Sequence, residues 1–201
     1  FSGYEYDEMG IFRSGREGYW SNLNKDENCN FIEALETLKP REAVRQIIPK
    51  FENIIFSPSR EGALELLDIS KGDVGIDYGC MWGVLSIGMA KRGAQVIAVD
   101  QTIDSLKFLS SRSKSENLNN IICVQDDIRE VRFSQLADIA IVNGVLEWVP
   151  EIGEFELNKY YGRKVKKDYN NLNPQKAQEL FLERVHESLK DQGKLLLAIE
   201  N

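Results

Sequence analysis

Apolar residues recur along this chain in two rhythms. Five short, nearly continuous apolar runs stand out: Val74-Gly75-Ile76-Asp77-Tyr78, Gln95-Val96-Ile97-Ala98-Val99-Asp100, Ile121-Ile122-Cys123-Val124, Ala137-Asp138-Ile139-Ala140-Ile141-Val142 and Lys194-Leu195-Leu196-Leu197-Ala198-Ile199. Runs of this length, with little polar alternation, are predicted as strands covered on both faces. Between them the spacing becomes helical. One helix spans 82–92, with Leu85 and Met89 on one face and Gly93 as its stop. Another follows Thr102 as its cap, and a third spans 175–189. Strands alternating with helices at these lengths predict an α/β fold built on a parallel sheet.

Upstream the pattern is helical without strands. Asn30 is predicted to cap a helix running to Leu38, with Glu33 at the reciprocal position. Pro40 opens a second helix with Val44, Ile47 and Ile48 as its apolar face, and Pro58 with Ser59 introduces a third. In residues 1–28, Tyr4, Tyr6, Phe12, Tyr19 and Trp20 lie among Gly3, Gly10, Gly15 and Gly18, and no period survives that many glycines. This segment reads either as a lid over a ligand or as a terminus that is poorly ordered or packs elsewhere. The division is then 1–54, an extension or lid with helices, and 55–201, a nucleoside-binding domain. The last strand is followed at once by the end of the sequence, and an uncovered edge strand invites pairing with other chains. The sequence therefore reads as a piece cut after its fifth strand.

The chemistry gathers where the first strand ends. Asp77 is followed by Gly79 and Gly83, and glycine suits a turn that bends sharply and lets backbone approach a ligand. A dinucleotide loop would need glycine where Met81 and Val84 stand. No lysine or arginine occurs between Asp77 and Ala90, so the turn suits a ligand with a positive end better than a diphosphate. The second strand ends on Asp100, whose carboxylate can accept hydrogen bonds from both hydroxyls of a ribose.

Asp77-Tyr78-Gly79-Cys80-Met81-Trp82-Gly83 resembles the first motif of the class I S-adenosylmethionine-dependent methyltransferases. Val99-Asp100 is similar to the second motif, Gln125-Asp126-Asp127-Ile128 to the third, residues 138–150 to the fourth and 189–201 to the fifth. The resemblance implies a doubly wound Rossmann-like sandwich with strand order 3-2-1-4-5, helices on both faces and S-adenosylmethionine as cofactor. It places Asp77 at the methionine end of the ligand, with Tyr78, Gly79, Cys80, Met81, Trp82 and Gly83 around the turn. Asp100 takes the ribose, while Gln101 and Thr102 line the cleft. Asp126 or Asp127 accepts from the adenine amine, with Ile128 against the ring. Asn143, Glu147 and Trp148 are the candidates on the acceptor side. Met81 replaces a residue that is usually glycine in the family, and Trp148 stands where many relatives acting on small molecules have histidine.

Asn143-Gly144-Val145 lacks the prolines of amide-nitrogen methyltransferases, which favours a small-molecule, glycan or natural-product acceptor. The alternatives are a non-catalytic module that binds S-adenosylmethionine within a larger protein and, less well supported, a NAD-binding oxidoreductase. The latter would share Asp100 but not the glycine spacing. Charge narrows the partners: 25 basic against 32 acidic residues give a net charge of -7, unsuited to a nucleic-acid backbone. The basic cluster Arg163-Lys164-Val165-Lys166-Lys167 reads as a solvated face. Cys29, Cys80 and Cys123 have no metal-binding spacing and read as reduced thiols, so no metal is expected. No apolar run approaches a membrane span, and a cytoplasmic protein is expected. His186, the sole histidine, falls in an amphipathic helix and reads as a surface or packing residue.

Overall fold

The computed structural model describes residues 3–16, 23–150 and 173–199. Gly18, Tyr19, Trp20, the basic cluster at 163–167 and the long polar stretch to residue 172 lie outside the described residues. A seven-stranded sheet runs in the order β1-β2-β5-β4-β3-β6-β7. Its central strands are β3 (Val74–Tyr78), β4 (Gln95–Asp100), β5 (Ile121–Gln125), β6 (Ala137–Asn143) and β7 (Leu189–Ala198), all parallel to their neighbours. Their spatial order is the expected 3-2-1-4-5. The two added strands, β1 (Glu5–Tyr6) and β2 (Ile11–Arg13), come from the glycine-rich segment in which the sequence showed no period.

Side-chain alternation divides the two faces. Ile76, Tyr78, Val99, Val124 and Val142 face α6 (Pro174–Ser188), meeting its Ala177, Phe181 and Val185. The opposite face carries Val96, Ala98, Cys123, Ile139 and Ile141 against α4 (Val84–Lys91) and α5 (Ile103–Ser115). Close packing there explains Gly75, where an added Cβ would lie 2.7 Å from the Met89 sulfur. The outer strand β7 leaves Leu195, Leu197 and Ile199 exposed. Among the described residues no helix is long and apolar enough to cross a membrane.

Three short helices precede the sheet: α1 (Lys25–Ala34), α2 (Pro40–Ile47) and α3 (Glu52–Phe56). The first begins earlier than expected, because Asn24 and Glu27 form the capping box instead of Asn30 and Glu33. The third predicted helix is a 3-10 segment, Pro58–Leu66, and α4 starts at Val84, which leaves Trp82 in the turn. These helices build a second apolar cluster in which Phe31, Phe108 and Trp82 meet edge-on or tilted, with centroids 5.5–5.6 Å apart.

The hairpin β1–β2 is more than a frayed end. Asp7 closes it by accepting from the Met9 and Ile11 amides at 3.0 Å, and β2 then pairs in parallel with β5 from Ile11 to Arg13. Beyond β2 the strap is fastened to Asp126, whose side chain is fully buried. Asp126 accepts from the Tyr4 hydroxyl, from Ser14 Oγ at 2.9 Å, and from Arg16 Nε and Nη2 at 2.6 and 2.7 Å. A charge-assisted fork with two hydroxyls saturates the carboxylate. Asp126→Ala is expected to cost about 3 kcal/mol of stability in urea unfolding. Amide exchange should accelerate across 5–13 in the same variant, and unchanged protection there would show that the strap is held some other way.

Candidate functional site

The turn after β3 is built by two backbone bonds across strands. The amides of Gly79 and Cys80 both donate to Val99 O, at 2.8 and 3.0 Å, so the chain folds back over the end of β4. Gly79 and Gly83 have φ of 72° and 69°, a region that costs residues with a Cβ. Their surroundings are equally closed: a Cβ would lie 2.7 Å from Val145 Cγ2 at Gly79 and 2.3 Å from Leu109 Cδ1 at Gly83. Met81, between them, is also left-handed at 47°, the conformation the family's usual glycine would adopt without strain.

Asp100 joins this turn to the next. Its Oδ2 accepts from the Met81 amide and its Oδ1 from the Thr102 amide, each at 2.8 Å. The Thr102 side chain bonds it as well, and since an ionised carboxylate offers about four acceptor positions, about one remains for a ligand. Asp77 sits on the same face of the sheet one strand away. It is shielded from solvent and accepts from Ser86 Oγ on α4 at 2.5 Å. Burial pushes the Asp77 carboxyl up to about 6, with the charge of Asp100 adding to the effect. Asp100 is also raised by burial, against the pull of the two amides it accepts and of the Thr102 side chain. Two buried carboxylates beside a turn without cationic side chains make an environment that favours positive charge.

Other sequence-predicted residues take different places. The Tyr78 ring is in the core, edge-on to Phe181 at 5.8 Å, and its hydroxyl is pushed up to about 12 by burial; only its backbone borders the turn. Trp82 is buried among the helices before the sheet, with Nε1 lacking a partner. Cys80 is buried against Ala98 and Cys123. Asp126 is committed to the strap. Asp127 binds Arg129, whose Nε and Nη2 reach it at 2.9 and 2.6 Å, and Ile128 lies in the core. Gln101 contributes its carbonyl oxygen, which accepts from Gln125 Nε2 at 3.2 Å.

On the acceptor side, Asn143 is exposed at the end of β6, and Gly144 donates to Ala198 O at 2.8 Å. A 3-10 turn, Leu146–Trp148, follows; Gln178 on α6 holds it by donating to Leu146 O at 3.1 Å. Glu147 is half-buried and Trp148 is 43% exposed. Val145, packed on Gly79, joins this loop to the turn. His186 is exposed and borders a hollow with Arg132, Gln135 and Lys190, at the edge of the sheet where β6 and β7 begin, opposite the turn. No cluster of residues able to hold a metal occurs among the described residues.

Sequence reasoning did not single out Ser86, Arg129 or Gln125. Gln125 had a signal: it ends an apolar strand, in register with Asp100 on β4.

Residues 69–201 match a family model described as a methyltransferase domain. The chain belongs to the class I S-adenosylmethionine-dependent methyltransferases. Among curated relatives, the ubiquinone biosynthesis O-methyltransferase of Rickettsia canadensis is 24% identical over 157 residues, covering 78% of this chain and 58% of that protein. The enzyme of the same name from Rickettsia conorii is 32% identical over 91 residues, 45% of this chain and 31% of the relative. The match thus spans little more than half the length of the first of these relatives and less than a third of the second. Two solved structures share its fold. One is coclaurine N-methyltransferase bound to N-methylheliamine and SAH (TM-score 0.53, 16% identity, 88% of this chain and 53% of that one). The other is a Methanococcus maripaludis protein assigned as an S-adenosyl-L-methionine-dependent methyltransferase (TM-score 0.52, 18% identity, 89% and 66%). At these identities the likeness concerns the fold alone.

The closed turn of this methyltransferase-family chain has a direct consequence. Gly79→Ala combines a strained φ with a clash on Val145 and should destabilise the protein by about 1–3 kcal/mol. Val145→Ala in the same chain should return part of that loss in thermal unfolding; no recovery would mean that backbone strain alone sets the cost. Asp77 gives a pH signature. Its folded value of about 6 exceeds the ordinary 3.8, so its ionisation is penalised in the fold. The stability it permits is complete below about pH 4 and is lost as pH rises through 6. Asp77→Asn should therefore raise the melting temperature most above pH 6 and hardly at all near pH 4.

Proposed function

We propose that this protein transfers the methyl group of S-adenosylmethionine to a small-molecule acceptor, with a hydroxyl oxygen as the favoured nucleophile. The observation that carries this reading is Asp100, fixed by two backbone amides yet with acceptor capacity left, beside a second buried carboxylate and a tight glycine turn. The O-methyltransferase names of the curated relatives support the oxygen acceptor.

When bound, the cofactor supplies an electrophilic methyl group on a cationic sulfur. The remaining work falls to this chain's residues. Asp100 accepts from the ribose diol, and the absence of a Cβ at Gly79 lets the turn lie close to the ligand. Asp77 and Asp100 together present negative charge to the sulfonium end. Displacement from a good leaving group needs alignment and exclusion of water, and a base only to take the proton of the attacking hydroxyl. Glu147 is the carboxylate nearest in sequence to the exposed Asn143 and Trp148, and it takes that role; Trp148 offers an apolar wall to the acceptor.

Calorimetric titration tests the cofactor half: S-adenosylmethionine and S-adenosylhomocysteine should bind, NAD should not, and Asp100→Ala should weaken both adenosyl ligands by at least about tenfold. The preference for the cationic ligand should shrink as pH falls below 6 and Asp77 takes a proton. Binding of NAD in place of the adenosyl ligands would overturn the reading. The acceptor half rests on Glu147→Gln, which should lower turnover by about 10²–10⁴ while leaving S-adenosylhomocysteine affinity unchanged. Tight binding with no product from any hydroxylated acceptor would favour a binding-only module.

A further inference from the structure

The sequence motifs direct the adenine amine to an acid just after β5, and both acids there are engaged. Asp126 receives the strap from Tyr4, Ser14 and Arg16, and also the Asp127 amide at 2.8 Å. Asp127 receives the Arg129 amide at 3.0 Å and the Arg129 side chain through Nε and Nη2. Freeing Asp126 would break a charge-assisted fork, which no neutral amine repays, while Asp127 keeps only about one acceptor position beside its fork with Arg129.

Gln125, one residue earlier, presents the opposite situation. It is fully buried and stands in register with Asp100 on the neighbouring parallel strand. Neighbouring strands lie about 4.8 Å apart, so the two side chains are adjacent on one face at the carboxyl ends of β4 and β5. Both hydrogens of its Nε2 are used, on Arg16 O at 2.6 Å and Gln101 O at 3.2 Å, and this fixes which end of the amide is oxygen. Its Oε1 has no hydrogen-bond donor. A buried amide oxygen left unpaired is costly, and such an orphan marks a group whose partner arrives from outside.

We propose that Gln125 Oε1 is the acceptor for the exocyclic amine of the adenine base, in place of the acids that follow it. The inference rests on the adenosyl-binding reading above. The resemblance of the third motif places the base at the exit of β5, one strand beyond the ribose acid, and Gln125 is the polar side chain that the register puts there. The amide is wholly shielded here, so pairing requires the half-exposed Arg16 end of the strap to ease outward. Gln101 O, at the end of β4, keeps its hold on the Gln125 Nε2 during that movement, so the oxygen still faces only a donor.

The test compares S-adenosylhomocysteine with its inosine counterpart, in which a carbonyl replaces the amine, by calorimetric titration of the whole chain. The wild-type protein should prefer the adenosyl ligand by about tenfold, the size of one neutral buried hydrogen bond. Gln125→Met should bring the two ligands to within about twofold of each other, whereas Asp127→Asn should leave the preference intact. A preference that survives Gln125→Met, or one that disappears with Asp127→Asn, overturns the proposal. Failure of the wild-type protein to bind either ligand would instead remove the adenosyl reading itself. Should Gln125→Met not fold, a crystal structure of the wild-type protein with S-adenosylhomocysteine decides: the amine within about 3 Å of Gln125 Oε1 supports the assignment, and the amine on Asp127 or on water refutes it.

Discussion

The candidate site depends on one carboxylate gripping two backbone amides. Asp100 holds Met81, in the turn after β3, and Thr102, at the start of α5, at equal distances. Without that grip, two segments leaving adjacent strands would have no common anchor at the carboxyl edge of the sheet. The grip also imposes a tension. Asp100 is buried close enough to Asp77 that each disfavours the other's charge, and Ser86 is the group that offsets this on the Asp77 side. Buried acids with raised pKa values of this kind cluster at functional sites.

The central architecture was legible because its signals are local. Buried parallel strands read as apolar runs, and the glycines at 79 and 83 declared a turn that the structure closes against Val145 and Leu109. The acid ending each of the first two strands was legible for the same reason: alternation along a strand fixes which face a side chain takes. The boundaries were less so. Asn30 and Asn24 are both good caps, and only packing against α5, where Asn28 Nδ2 donates to Asp104 at 2.6 Å, selects the earlier start.

What the sequence could not reveal is tertiary competition. Nothing near Asp126 in the chain announces that Tyr4, Ser14 and Arg16, more than a hundred residues away, will occupy it. The glycines that erased any period in that segment are the residues that let a short hairpin form, with Gly10 at a φ of 83°. Tyr78 was misleading in a simpler way. It lies in the signature of the turn, but strand alternation sends its ring to the face opposite Asp77. Trp82 is drawn into the helical layer by its edge-on contacts with Phe31 and Phe108.

Arg129 links the two halves of the cleft. Its guanidinium is bound to Asp127 at the exit of β5, and its Nη1 reaches Val149 O, 3.5 Å away, just past the acceptor loop. The contact ties the exit of β5 to the backbone just beyond the 3-10 turn after β6, so a substitution that shifted the Val149 carbonyl would also free one arm of the Arg129 guanidinium.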